Sequence, residues 1–222
     1  MAGVLYMVAT PIGNLGDISV RANEVLGAVD FISCEDTRVT KKLVLHLGIN
    51  KELVSLHHHT PESTLLKLVD RIKRGESAAY VSDAGTPGLA DPGGKLVAAA
   101  NQAGIKIVPI PGASAVTAIL SVVGLPANSY LFLGYPPHKK GRQKFFKEAA
   151  SCEYAVVFFE STYRITKTLI QLSKLIDDRA IVVGRELTKM YETIYRGSAV
   201  EVLEQLSQTS AKGEFVVVLA PK

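Results

Sequence analysis

Cysteine is almost missing from these 222 residues, with only Cys34 and Cys152, far apart in the chain. That excludes a disulfide framework and a cysteine metal knuckle, and both read as small buried hydrophobes at strand ends. No apolar run approaches the eighteen or more residues of a membrane span, so no transmembrane segment is predicted. The opening Met1-Ala2-Gly3-Val4 lacks the basic stretch and cleavage site of a signal peptide, so the expected location is the cytoplasm. Neither G-x-G-x-x-G nor G-x-x-x-x-G-K-[ST] occurs, which argues against a standard dinucleotide-binding or P-loop protein. Internal repeats and low-complexity segments are missing too.

Apolar residues, by contrast, make up 47% of the chain, enough for a core in one large domain or two small ones. The net charge is a modest +4, but it is unevenly placed. Residues 1–112 hold equal numbers of acidic and basic side chains, so all the excess lies in the second half. Its densest part is the basic run from His138 to Lys147, with Lys139, Lys140, Arg142, Lys144 and Lys147 and no acid among them. Such a run suits a polyanion such as RNA, and equally the solvated start of a helix.

Apolar runs at Val4–Ala9, Val29–Cys34, Leu53–Leu56, Ala78–Val81 and Ile105–Ile110 read as strands. Helical patterns at Val20–Leu26, Thr40–Leu47, Ser63–Lys73 and Leu96–Ala103 alternate with them. This predicts an α/β fold with a mostly parallel sheet covered on both faces. After an apolar run to Val123, Gly124-Leu125-Pro126 breaks the pattern, and the second half repeats the style. Its expected strands are Tyr130–Leu133, Ala155–Phe159, Ala180–Val183, Glu192–Arg196 and Phe215–Leu219; Thr188–Arg196 and Phe215–Leu219 are expected to pair antiparallel. Two α/β domains are therefore predicted, 1–115 with a mostly parallel sheet and 116–222 with a mixed one.

The stretch Val81-Ser82-Asp83-Ala84-Gly85-Thr86-Pro87-Gly88-Leu89-Ala90-Asp91-Pro92-Gly93-Gly94 follows the fourth strand. It is long for a βα connection, and its glycines let backbone approach a ligand, so it reads as a ligand loop, with Asp91 as helix cap and Pro92 as first helical residue. Small or polar loops also follow the first strand (Thr10 to Asp17), the second (Cys34 to Arg38) and the fifth (Pro111 to Ala115), and together they predict a shared cleft at one sheet edge. Glu35, Asp36 and Arg38 place two carboxylates beside a guanidinium: either a general base with its neighbour held ionised, or a helix start capped by Asp36. In the second half, Arg185 and Lys189 suit phosphate neutralisation or activation of a hydroxyl, or else surface salt bridges. His57-His58-His59 invites a metal reading, but consecutive residues in an extended segment point to alternate sides, and no metal is expected.

Taken together, Val8 to Asp17, Glu35-Asp36-Thr37-Arg38, Ser82 to Gly93, Pro111 to Ala115 and Gly184-Arg185-Glu186-Leu187-Thr188-Lys189 resemble the motifs of the ribosomal RNA small-subunit methyltransferase I family, a branch of the tetrapyrrole methylase superfamily. The resemblance runs from residue 4 to residue 220 with the motifs in order. It implies two α/β domains with S-adenosylmethionine in the cleft between them, a homodimer, and methylation of a cytidine ribose 2′-hydroxyl in small-subunit ribosomal RNA. By motif it places Pro11, Asp83, Gly85, Thr86, Leu89, Ser114 and Ala115 around the donor, with Phe159, Leu187 and Glu214 closing over it from the second domain. The family usually has Pro where Thr162 stands and His-Glu-Glu where this chain has Tyr191-Glu192-Thr193, so positions 191 and 193 receive no catalytic assignment.

Methyl transfer to a ribose oxygen needs an in-line approach and removal of a proton from a poorly acidic hydroxyl, by a carboxylate or a neutral lysine. The expected arrangement puts Lys189, Glu186 and Arg185 on the acceptor side, facing Glu35, Asp36 and Arg38. A tetrapyrrole-type small-molecule methylase, a nucleotide-dependent hydrolase or kinase without a standard P-loop, and a non-catalytic RNA-binding module are the rival readings.

Overall fold

The computed structural model describes residues 2–222, and its internal contacts divide the chain into two units that part between Ser114 and Ala115. The first unit is a five-stranded, wholly parallel sheet of β1 (Val4–Val8), β2 (Phe31–Cys34), β3 (Glu52–Ser55), β4 (Ala78–Val81) and β5 (Lys106–Ile110), in the order β3-β2-β4-β1-β5. Its helices are α1 (Val20–Ala28), α2 (Thr37–His46), α3 (Glu62–Lys73) and α4 (Gly93–Gln102).

The period-2 geometry of a strand divides the apolar runs between two cores. In β4, Ala78 and Tyr80 pack with Leu68, Val69 and Ile72 of α3 and Leu96 and Ala100 of α4. Ala79 and Val81 pack on the opposite face with Ala22 and Leu26 of α1 and Val44 of α2. Gly93 is where α4 meets this sheet, for a Cβ there would stand 2.5 Å from Tyr80 Cε1. Any larger residue would push the helix off the strand.

The strand order carries a functional consequence. From β1 the chain crosses β4 to β2 and continues to β3, then reverses, passing β2 to β4 and β1 to β5. Right-handed crossovers running in opposite directions put their helices on opposite faces, α1 on one and α4 on the other. The carboxyl ends of the adjacent strands β1 and β4 therefore flank the topological switch point, where open parallel sheets form a crevice.

Helix starts come earlier than periodicity alone indicates. α2 begins at Thr37 because Asp36 Oδ1 accepts from Arg38 N at 2.8 Å. Pro92 already has helical dihedrals, φ −76° and ψ −3°, and Asp91 Oδ1 accepts from Gly93 N at 2.7 Å.

In the second unit, α5 (Ala115–Ser121) precedes a sheet of β6 (Tyr130–Phe132), β7 (Ala155–Ser161), β8 (Ile181–Arg185), β9 (Thr193–Gly197) and β10 (Glu214–Leu219). The order is β6-β7-β10-β8-β9, with β6 parallel to β7 and the other pairs antiparallel. The sheet is mixed, but the expected antiparallel pairing of β9 with β10 is wrong. Both strands pair antiparallel with β8, one on each side, and so run parallel to each other without touching in the ladder. The final strand takes the centre because Phe215 to Leu219 are all buried and need cover on both faces. Helices α6 (Arg142–Ser151), α7 (Ile165–Leu172) and α8 (Ala199–Ser207) complete the unit, the last opened by a Ser198/Glu201 capping box. Cys34 ends β2 in the core, whereas Cys152 follows α6 and is half-buried. Among the described residues no helix is long and apolar enough to cross a membrane.

Candidate functional site

The loops leaving β1, β2, β4 and β5 are tied to one another by hydrogen bonds. Thr10 and Gly85 exchange backbone bonds, N to O, at 3.0 and 3.1 Å. Asp36 N donates to Asp83 Oδ1 at 3.0 Å, Thr86 Oγ1 donates to Ala113 O at 3.0 Å, and Ala9 N donates to Ile110 O at 3.1 Å. Gly85 sits at φ +81°, and a Cβ there would come within 3.1 Å of Ile12 Cγ2, so a glycine is required on both conformational and steric grounds. Beyond it, Asp91 Oδ2 accepts from Gly88 N at 2.6 Å, and Ala90 adopts a left-handed φ of 71°. This knot brings Pro11, Asp83, Gly85 and Thr86 to the switch point, with Asp83 exposed, Gly85 buried and Leu89 exposed on the outer turn. Ser114 ends the unit, and Ala115 opens α5.

Two adjacent carboxylates here are driven in opposite directions. Arg38 grips Asp36 through Nε, at 3.1 and 3.2 Å, and through a terminal nitrogen at 2.6 Å, and together with the cap bond this lowers the Asp36 pKa to about 2. Such a group is a feeble base. Burial, followed by the charge of Asp83, raises Glu35 above the usual carboxylate range, and burial raises Asp83 as well. A carboxyl whose pKa is pushed toward neutrality is better matched to accepting a proton.

The folded chain holds a proton on Glu35 more tightly than the unfolded chain does, so its contribution to stability is present below the ordinary value of 4.5 and is lost as pH rises through the raised folded value. Glu35→Gln is therefore expected to keep or raise the thermal midpoint at neutral pH while lowering turnover. A fall in midpoint with unchanged turnover would remove Glu35 from the chemistry.

The histidines are engaged locally: His57 N donates to Thr60 Oγ1 at 2.8 Å, and His57 Nδ1 accepts from His59 N at 3.2 Å. Among the described residues no group of His, Cys, Asp and Glu is placed to hold a metal.

In the second unit, the loop after β8 carries the charge. Lys189 Nζ lies 3.0 Å from Glu186 Oε1 and 2.7 Å from Glu214 Oε2. Glu186 Oε1 also accepts from Glu214 N at 2.9 Å. Partial burial opposes the charge on Lys189, but the Glu214 and Glu186 carboxylates outweigh it and raise the lysine pKa. Burial likewise opposes ionisation of Glu186, yet the Glu214 N–H and Lys189 lower its pKa. A raised lysine pKa disfavours the neutral form that proton removal by Lys189 would need. Glu186 and Thr188 adopt left-handed φ values of 52° and 64°, a strained turn around buried Leu187 of the sort that accumulates at functional sites. Arg185 donates through Nε to Lys212 O at 2.7 Å. Phe159 packs against Phe132 and Tyr135, with ring centroids 5.0 and 5.3 Å apart.

One expectation for the basic run is corrected. Arg142 is only 5% exposed and turned inward, its Nε on Gln171 Oε1 at 2.9 Å and a terminal nitrogen 3.6 Å from Glu160. It cannot be an RNA contact, whereas His138, Lys139, Lys140, Lys144 and Lys147 are exposed. Reading the run as a charge block missed the buried acid Glu160, 1% exposed, that claims Arg142. The available signal was Arg164, four residues after Glu160 at the end of an apolar strand, 2.8 Å from it in the fold.

Comparison with known proteins agrees with this layout. The family model for tetrapyrrole (corrin/porphyrin) methylases matches residues 4–203. A protein of Xylella fastidiosa named ribosomal RNA small subunit methyltransferase I is 43% identical over 98% of this chain and 81% of its own length. One of the same name from Halalkalibacterium halodurans is 41% identical over 98% of this chain and 75% of its own. Among solved structures, a diphthine synthase superposes with a TM-score of 0.74 at 20% identity, covering 98% of this chain and 90% of that one. A uroporphyrin-III-C-methyltransferase from Thermus thermophilus gives 0.68 at 20% identity, covering 97% and 94%, and both likenesses speak to the fold. With its motifs, its two sheets and its near full-length relatives in agreement, the chain belongs to the ribosomal RNA small subunit methyltransferase I family of the tetrapyrrole methylases.

Proposed function

We propose that this protein transfers a methyl group from S-adenosylmethionine to the 2′-hydroxyl of a cytidine in small-subunit ribosomal RNA, in the cytoplasm, on the assembled subunit and as a homodimer. The observation that carries the reading is the knot of loops at the switch point of the first unit, in a chain 43% identical to a protein named for that methylation substrate. The donor supplies a methyl group already bonded to a leaving sulfonium, so the protein's task is orientation and proton removal.

The residues present fit such a donor. Gly85 leaves backbone open where a Cβ would crowd Ile12, and exposed Asp83 offers a carboxylate beside it to accept from a ribose hydroxyl. Pro11, Thr86, Leu89 and Ser114 would complete the seat in the first unit, and Ala115, Phe159, Leu187 and Glu214 are the donor contacts proposed for the second unit. Glu35 is the best-tuned base among the proposed catalytic set. Arg38 keeps Asp36 ionised, while Lys189, held by Glu186 and Glu214 beside Arg185, would stabilise negative charge developing on the acceptor oxygen.

Tritiated methyl incorporation into small subunits from a strain lacking the enzyme tests the assignment directly, and no label in the RNA would end it. Calorimetry with S-adenosylmethionine and with ATP plus magnesium separates it from a nucleotide-dependent hydrolase or kinase, and light scattering reads the dimer. Replacing Lys139 and Lys140 by Ala should weaken RNA binding and flatten its salt dependence by about 0.7 per charge removed. An unaltered salt slope would assign these lysines to solvation alone.

A further inference from the structure

Building on the acceptor role of the second unit, we propose that the hollow behind Arg185 takes one unstacked nucleobase of the acceptor RNA. The cavity measures about 670 Å³ and is bounded by Arg185, Met190, Tyr191, Glu192, Ser210 and Lys212. Its floor holds an unusual cation. Arg185 is 9% exposed and meets only neutral carbonyls, Lys212 O at 2.7 Å and Tyr191 O at 3.4 Å. Among the described residues no carboxylate lies within ion-pair distance of it. Glu186 acts on it through space without forming an ion pair, so a guanidinium this far removed from water is costly unless something polar completes its hydrogen bonds, and its planar fork matches the adjacent acceptors on a base edge.

The charge of the cavity distinguishes a base from a bare phosphate. Glu192 stands on the same wall, with Oε2 accepting from Thr188 N at 2.6 Å and, among the described residues, no salt bridge to a cation. Glu186 also lines the space, neutralised by Lys189. Glu186 and Glu192 offset the cations Arg185 and Lys212 of the same lining, which leaves little net charge to hold a bare phosphate, whereas a base edge that both donates and accepts uses both kinds of group. The walls add flat surface, since Tyr191 is 67% and Met190 89% exposed. They belong to a turn fixed before any ligand arrives, with Lys189 N on Glu186 O at 3.0 Å and Glu192 N on Lys189 O at 3.1 Å. Large side chains kept exposed on a pinned turn beside hydrogen-bonding groups are what stacking of a splayed-out base requires.

The test compares full-length protein binding to a short labelled single-stranded oligoribonucleotide and to its abasic counterpart, by fluorescence anisotropy at fixed salt. Wild type should prefer the base-bearing strand. Tyr191→Ala should lose about tenfold in affinity for it, together with the preference, while Tyr191→Phe keeps both. Because Tyr191 is exposed, this variant should fold. Arg185→Lys should also lose the preference although the charge is kept. Equal binding of both strands by wild type, or wild-type discrimination by Tyr191→Ala, would overturn the proposal. Since no methyl transfer enters this measurement, wild type that discriminates the strands but fails to label subunits would refute the proposed reaction and leave the nucleobase pocket standing.

Discussion

Glu160→Ala should lower the unfolding free energy of the second unit by about 3–5 kcal/mol, read as an earlier denaturant midpoint in circular dichroism. The Glu160 side chain is fully enclosed, 2.8 Å from Arg164 and 3.6 Å from Arg142. Thr168 Oγ1 donates to its Oε2 at 2.6 Å, and Ser161 N donates to its Oε1 at 2.8 Å. Truncation removes the anion that both guanidinium groups share, groups that are themselves 6% and 15% exposed. Two buried cations would then face each other uncompensated. Glu160→Gln keeps the shape and several hydrogen bonds, and should lose less. The effect should also reach the exposed lysines, because Arg142 donates to Pro137 O at 3.3 Å and Arg164 to Pro136 O at 2.8 Å, holding the chain that leads to Lys139 and Lys140. A midpoint for Glu160→Ala indistinguishable from wild type would show that water reaches and compensates this cluster.

Lys189→Met should lower turnover by about 10²–10³-fold, the loss typical of removing one group aimed at developing negative charge, with little change in donor affinity. Stability should change far less, since Glu214, one of its two partners, has a side chain 75% exposed. The ion cluster is complete at neutral pH. The folded pKa of Lys189 is raised, so its contribution is fully present below the ordinary lysine value of 10.5 and lost as pH rises through the raised one. That of Glu186 is lowered, so its contribution is present above the ordinary 4.5 and lost as pH falls through the lowered one. Single-turnover kinetics with saturating donor, set beside calorimetric donor affinity, checks the split. Unchanged turnover in Lys189→Met would confine Lys189 to holding its loop.

How much of the site was legible is clearest in neighbouring residues. Glu35 and Asp36 are adjacent carboxylates whose order in the chain does not rank them as bases. The fold ranks them, by turning Asp36 onto Arg38 and the start of α2 and by half-burying Glu35 near Asp83. In the basic run, spacing marks five positive charges but cannot tell that Arg142 belongs to Glu160, eighteen positions away. The pairing of the last strands failed for a related reason: proximity in the chain suggested that β9 and β10 pair, whereas β10 needs two buried faces and takes the centre of the sheet.

The sequence by itself determined the alternation of strands and helices, the glycine- and proline-rich turns at the strand ends and the family. These are local properties, written in the period of apolar residues and in which backbone angles each residue tolerates. Tertiary structure alone decided that β1 and β4 lie side by side with their following loops bridged at Thr10 and Gly85, which charges face water and which face an ion partner, and which carboxylate is tuned toward neutrality. Those outcomes depend on burial and on neighbours distant in the chain, because a charge or a backbone group is settled only when its surroundings in space are complete.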